Sequence, residues 1–283
     1  MKKLAISLIG LLILSMGIYS CTKESDKTSN YHKKSSSNQQ FNIVKFTDAE
    51  LETIGQKHND IFIEFFDIYQ LSNYSPSIND FKNLTIEYTT ELSPNFTINS
   101  LNDHINYSLE SSSQLDKINY YEGILNTILA TNTTAPEIES AINSEMVLIK
   151  NNNNLNNLEY NCIMSMFSVA KHSSKLWMPK SMGGTGVGSA VIRAQIDIGT
   201  NENDIPISDR AKKIIAQDGK GAAVGLLGWC CRAGYLAYTG GPLLGTASLI
   251  ASTLGPAAYE SMMALMAIRK VEPPFFFTNY NYE

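Results

Sequence analysis

Charge is scarce in this chain. Asp, Glu, Lys and Arg make up 17% of its 283 residues and leave a net charge of -5. Average soluble domains carry about a quarter charged residues. No strongly basic face exists, so nucleic acid is excluded as a natural partner. Histidine is also sparse. His32, His58, His104 and His172 stand far apart, and none has a second ligand at metal-binding spacing. Cysteine is limited to Cys21, Cys162, Cys230 and Cys231, with no CxxC pair, so neither a redox dithiol nor a zinc cluster is written into the chain. HExxH, a paired-carboxylate pattern and an ordered Ser-His-Asp constellation are missing too. The sequence therefore predicts a protein with no metal, no cofactor and no enzymatic activity.

What is present begins with an address. Lys2 and Lys3 form a positive n-region, and Leu4–Ile18 an apolar stretch too short to span a bilayer comfortably. Ile18-Tyr19-Ser20-Cys21 follows. This resembles the lipobox of bacterial lipoproteins, with Ser20 small as required and Tyr19 larger than usual. The resemblance implies cleavage after residue 20, acyl chains (palmitate among them) on Cys21, and attachment to the cell envelope, with the outer membrane as the expected location. The membrane is then a partner through the N-terminal lipid. Residues 22–40, TKESDKTSNYHKKSSSNQQ, hold almost nothing apolar and read as a disordered tether within 21–45. Lys23-Glu24-Ser25-Asp26 weakly resembles the acidic surface-export signal of some Bacteroidetes lipoproteins.

From residue 46 the pattern is helical. Thr47-Asp48-Ala49-Glu50 is a capping box, and Leu51, Ile54, His58, Ile61, Phe65 and Ile68 recur at three and four. His58 thus falls on an apolar face, where a hydrogen-bonded core histidine is the expected role. Further helices are predicted at 77–91, 97–111, 114–130, 135–150 and 154–176. Leu115, Ile118, Ile124 and Ile128 form a stripe in the third of these, and Asn151–Asn157 supplies the last turn. Residues 46–180 are read as one helical domain.

The stretch Gly183–Gly188, GGTGVG, lacks the strand and the Gly-Lys-Ser/Thr ending of a phosphate loop. It reads as the start of a linker over 181–207. The alternation of Ile192, Ala194, Ile196 and Ile198 suggests one short strand inside that linker.

Residues 208–283 are read as a Gly/Ala-rich helical hairpin with an aromatic tail. Gly221/Gly225 and Gly241/Gly245 sit four apart, which on a helix permits close approach of another backbone. Gly240-Gly241-Pro242 should turn the chain, and Gly255-Pro256 should break or kink the second helix. The three cysteines beyond Cys21 read as small buried hydrophobes, with one disulfide from Cys162 to Cys230 or Cys231 left open.

Three short stretches carry a second resemblance: Ile54-Gly55-Gln56-Lys57-His58-Asn59, Ser173-Ser174 to Trp177, and Asp218-Gly219-Lys220-Gly221-Ala222. They are similar to a family of uncharacterised Bacteroidetes lipoproteins with a helical body and a Gly/Ala-rich C-terminal part. The likeness transfers no functional residue. The expectation is an all-α, multi-helix bundle acting as a lipid-anchored structural or interaction module. The alternative is a glycine-zipper, bacteriocin-like or pore-forming protein that inserts residues 220–268 into a membrane.

Overall fold

The computed structural model describes residues 43–71, 78–93, 113–197, 206–238 and 246–268. Cys21, residues 22–42 of the tether, the 97–111 helix, Gly241, Gly245, the Gly240-Gly241-Pro242 turn and the aromatic tail lie outside these; residues 43–45, read as the end of the disordered tether, are instead held by Asn157 and Asn161, which donate to the Ile43 and Val44 carbonyls. Among the described residues there are eight α-helices and no strand: α1 (Asp48–Leu71), α2 (Ile78–Leu92), α3 (Ser113–Thr131), α4 (Ala135–Lys150), α5 (Asn157–Trp177), α6 (Val187–Asp197), α7 (Ile207–Tyr238) and α8 (Thr246–Ile268). The all-α expectation holds.

The helix starts follow from local chemistry. Thr47 and Glu50 close the capping box before α1: the Glu50 N–H donates to Thr47 Oγ1 (3.3 Å) and the Thr47 N–H to Glu50 Oε2 (2.7 Å). Thr134 with Glu137 does the same for α4, with Pro136 in the first turn where no N–H is needed. Asn156 with Glu159 caps α5. The sixteen-residue helix from Ala135 to Lys150 thus needs no long-range contact to know where to begin.

Helix α5 is the axis. It is buried along nearly its whole length, polar positions Asn161, Ser165, Ser168, His172, Ser173 and Ser174 included. α1, α3, α4, α6 and α7 all pack on it, and α8 packs on α7, α2 and α1. Phe62, Phe65, Phe66, Phe81 and Trp177 form an aromatic cluster between α1, α2 and α5. On α3 the buried line is Ile118, Tyr121, Leu125 and Leu129, with Ile124 and Ile128 only half-buried at its edge. The stripe read from Leu115, Ile118, Ile124 and Ile128 therefore shares only Ile118 with the buried line, because Tyr121, Leu125 and Leu129 also seek the core.

The 181–207 stretch differs most from its reading as a linker with a short strand. Residues 187–197 are helix α6, and its Val187, Val191 and Ala194 follow i, i+4, i+7 toward the core. An isolated strand has no ladder partner for its backbone, whereas a helix satisfies its own. The glycine loop before it is a packed turn. Gly183 (φ 80°) and Gly186 (φ 87°) take left-handed backbone, and Thr185 N–H donates back to the Lys175 carbonyl at 2.7 Å.

α7 runs unbroken from 207 to 238 and forms the first arm of the Gly/Ala-rich segment. α8 likewise continues through Gly255-Pro256, so of the break or kink expected there the break does not occur. Pro256 removes the donor to the Ser252 carbonyl, and Gly225 of α7 lies against that carbonyl and the proline ring. A Cβ at Gly225 would come within 2.5 Å of Pro256 Cβ and Cγ and 3.0 Å of the Ser252 oxygen. One at Gly221 would come within 2.9 Å of Glu260 Cβ and Cγ. The predicted glycine face of α7 is therefore filled by α8. Gly225→Ala is expected to lose about 1–3 kcal/mol through overpacking, against a helix-propensity gain of about 1 kcal/mol. Gly221→Ala should lose less, because its nearest contacts, Glu260 at 2.9 Å and the Pro256 carbonyl at 3.0 Å, are less close than the proline ring at Gly225. Urea unfolding midpoints of the two variants check the ranking.

Candidate functional site

Polar side chains from four helices meet in the interior. α1 brings His58 and Asn59, α5 brings Ser173 and Trp177, α7 brings Asp218, and α8 brings Ser261. His58, Ser173, Trp177, Asp218 and Ser261 are each 0% exposed. His58 arrives there because it occupies the apolar stripe of α1, stacked against Phe62 at 5.3 Å. Gly55, one turn earlier, makes room for α5: a Cβ there would stand 2.2 Å from the His172 ring.

Asp218 is the hub. Its Oδ2 accepts from Ser173 Oγ (2.6 Å) and Trp177 Nε1 (2.9 Å), and its Oδ1 from Ser261 Oγ. Ser261 Oγ also lies 3.0 Å from His58 Nε2 and 2.9 Å from the Ala257 carbonyl. On the other side of the ring, His58 Nδ1 faces Asn59 Oδ1 (3.3 Å), with Ser173 Oγ at 3.4 Å. The Asn59 amide is oriented by donating to the His172 carbonyl at 2.8 Å. Its oxygen therefore asks for a proton on Nδ1.

Ser261 has one hydrogen for several acceptors, and two arrangements fill the knot without net charge. In the first, Asp218 is a carboxylate, Ser261 donates to it, and an imidazolium Nε2–H donates to Ser261. In the second, Asp218 keeps its proton and donates to Ser261, which donates to the bare Nε2 of a neutral ring. The two differ only by protons passed across the Ser261 hydroxyl. Burial favours the neutral pair, because two ions in a dry interior lose their hydration. Burial accordingly pushes Asp218 up to about 7, against the lowering effect of its three hydrogen-bond donors. Burial also pulls His58 down to about 4, against the raising effect of Asn59.

This pairing has a particular pH signature. In an unfolded chain an aspartate titrates near 3.9 and a histidine near 6.5. Between about pH 4 and 6.5 folding takes one proton from His58 and gives one to Asp218, so the pair contributes no slope. Stability from the raised Asp218 is lost as pH rises through about 7, and that from the depressed His58 is lost as pH falls through about 4. His58→Gln uncovers the aspartate: its unfolding free energy should fall with rising pH by up to about 1.4 kcal/mol per unit. Asp218→Asn uncovers the histidine, and the slope should reverse sign. Urea titrations at several pH values between 4.5 and 6.5 read both.

A second polar group flanks the knot. Glu52 contacts Lys171 Nζ (2.7 Å) and the His172 ring (Nε2 at 3.1 Å, an ion-pair contact without hydrogen-bond alignment). Burial raises the Glu52 carboxyl, but Lys171 and His172 outweigh it and hold the group at about 2. Burial lowers His172.

The spatial order here is Asp218–Ser261–His58. A nucleophilic triad needs the imidazole between serine and carboxylate; here Ser261 sits between Asp218 and His58, and all three are 0% exposed. The sequence treats His172 as isolated, and the structure corrects this: its ring lies against Gly55 and beside His58's helix, brought there by the α1–α5 crossing. Ser261 and the second serine, Ser173, carry no local signal of their role. Among the described residues no group of three His, Cys, Asp or Glu side chains is placed to hold a metal ion. Cys162 and Cys230 are buried thiols outside any disulfide.

The stretches Ile54–Asn59, Ser173–Trp177 and Asp218–Ala222 all contribute to this one knot, through His58 and Asn59, Ser173 and Trp177, and Asp218. Comparison with known proteins adds nothing to it, since no protein-family model, curated protein or solved structure matches the chain.

Proposed function

We propose that this chain is a lipid-anchored protein of the bacterial cell envelope, at the outer membrane, acting as a non-catalytic structural or interaction module. The observation that supports this reading is the sealed knot. The side chains best suited to acid–base chemistry are spent on each other, at 0% exposure, tying α1, α5, α7 and α8 together. The anchor rests on the lipobox-like Ile18-Tyr19-Ser20-Cys21. Metabolic labelling with a palmitate analogue, in a bacterial host that processes lipoproteins, tests it. Label on the intact chain that disappears in Cys21→Ser supports the anchor; an unlabelled chain overturns it.

The membrane-inserting alternative draws on α8, where Glu260 is the one charged side chain. It asks the hairpin to abandon the α7–α8 glycine packing and to carry Asp218 out of its partners. No helix among the described residues is long and apolar enough to cross a membrane. Dye release from liposomes on addition of the protein would turn the reading toward insertion.

A further inference from the structure

Four exposed apolar side chains gather at one end of the body. Val44 is 73% exposed, Tyr120 67%, Val147 55% and Leu148 64%; Ile63 and Met263 elsewhere are far less open. The contacts place them together. Asn157 Nδ2 donates to the Ile43 carbonyl (2.6 Å), and Asn161 holds Val44 and Phe46 through their backbone. Lys150 at the end of α4 pairs with Asp48 at the start of α1 (2.7 Å). Asn152, just past α4, donates to the Tyr121 hydroxyl on α3 (3.2 Å). The start of α1, the end of α4, the first turns of α5 and the first half of α3 therefore share one end.

It is also the end from which the chain leads back to Cys21. The intervening residues 22–42 reach at most about 75 Å when fully extended, and lipidation at Cys21 keeps this end within that distance of a bilayer. The lysines here are already engaged: Lys45 over the Tyr160 ring (4.5 Å), Lys117 with Glu159 (2.8 Å) and Lys150 with Asp48. Beside the four apolar side chains this end exposes Asn151, Asn153, Asn154, Asn156 and Asn157, uncharged groups able to hydrogen-bond lipid headgroups, a tyrosine whose ring suits the headgroup boundary and lysine stems that can lie along it.

We propose that this end is a bilayer-seating face. Val44, Tyr120, Val147 and Leu148 rest in the headgroup region of the membrane that holds Cys21 and set the body's orientation on it. The proposal rests on the lipid-anchor reading, and the experiment separates the two. The full lipidated protein is reconstituted in vesicles of phosphatidylethanolamine and phosphatidylglycerol containing a dibrominated phosphatidylcholine. Leu148→Trp is compared with Ile63→Trp, each corrected for Trp177 and Trp229 in the unsubstituted protein. Quenching of the added tryptophan at least twofold greater at 148 than at 63 supports the seating face. Equal, weak quenching in protein that floats with the vesicles overturns it and leaves the anchor intact. A tryptophan at 148 that is shielded only as protein concentration rises, without vesicles, marks contact with a second copy and also overturns it. Failure of flotation to depend on Cys21 refutes the anchor itself.

Discussion

Asp218→Ala is expected to destabilise the body by about 3–5 kcal/mol, since each buried donor left without an acceptor costs about 1–3 kcal/mol. That is a large part of the 5–15 kcal/mol that folded domains possess. The reason lies in the stranded donors. Ser261 can fall back on the Ala257 carbonyl, but Ser173, which otherwise faces the protonated Nδ1 of His58, and the Trp177 N–H, 2.9 Å from Asp218 Oδ2, both lose their acceptor in a dry site. Asp218→Asn is expected to behave quite differently. An asparagine oxygen at the Oδ2 position still accepts from Ser173 and Trp177, and its NH2 donates to Ser261, which donates to His58. This reproduces the neutral arrangement, so the loss should stay within about 1 kcal/mol near pH 6.5. Were the pair ionised, Asn would leave a buried imidazolium alone and the two variants would be nearly as damaging. Urea unfolding at fixed pH distinguishes these outcomes.

Trp177→Ala should cost about 4–5 kcal/mol. Its ring meets Phe62 edge-on at 5.3 Å and Phe66 at 6.1 Å, and Gly188 of α6 packs over it so tightly that a Cβ there would come within 2.4 Å of the ring. Three helices rest on one side chain, and no neighbour is free to fill the void. Trp177→Phe keeps most of that apolar volume and removes the donor to Asp218, with an expected loss of about 1–2 kcal/mol. The difference between the two variants separates packing from hydrogen bonding. Calorimetric melting of both, alongside Gly188→Ala, reads it; equal losses would mean that the hydrogen bond dominates.

The helical class was legible because capping and periodicity are local. Thr47/Glu50 and Thr134/Glu137 announce α1 and α4 within four residues, and the 51, 54, 58, 61, 65 spacing selects the buried face of α1. α6 was misread because isoleucines two apart imitate a strand, and only the neighbouring helices decide which face of residues 187–197 is covered. The break expected at Pro256 fails for a similar reason. A proline breaks a helix on its own, yet here the neighbouring Gly225 accepts the ring and the helix passes through. His58 was placed on the correct face, with a hydrogen-bonded core role. Its partners were beyond reach, since Ser261 stands 203 residues away and Ser173 115, and serines in helices are common.

The central claim is that His58 and Asp218 form a sealed, neutral pair bridged by Ser261. Its most direct test is the NMR titration of the imidazole nitrogens in protein labelled with 15N-histidine, from pH 4.5 to 8. The account predicts a His58 ring protonated at Nδ1 alone at pH 6, with no titration near 6.5. A His58 that gains its second proton with an ordinary midpoint, or that carries both ring protons at pH 7, would contradict it.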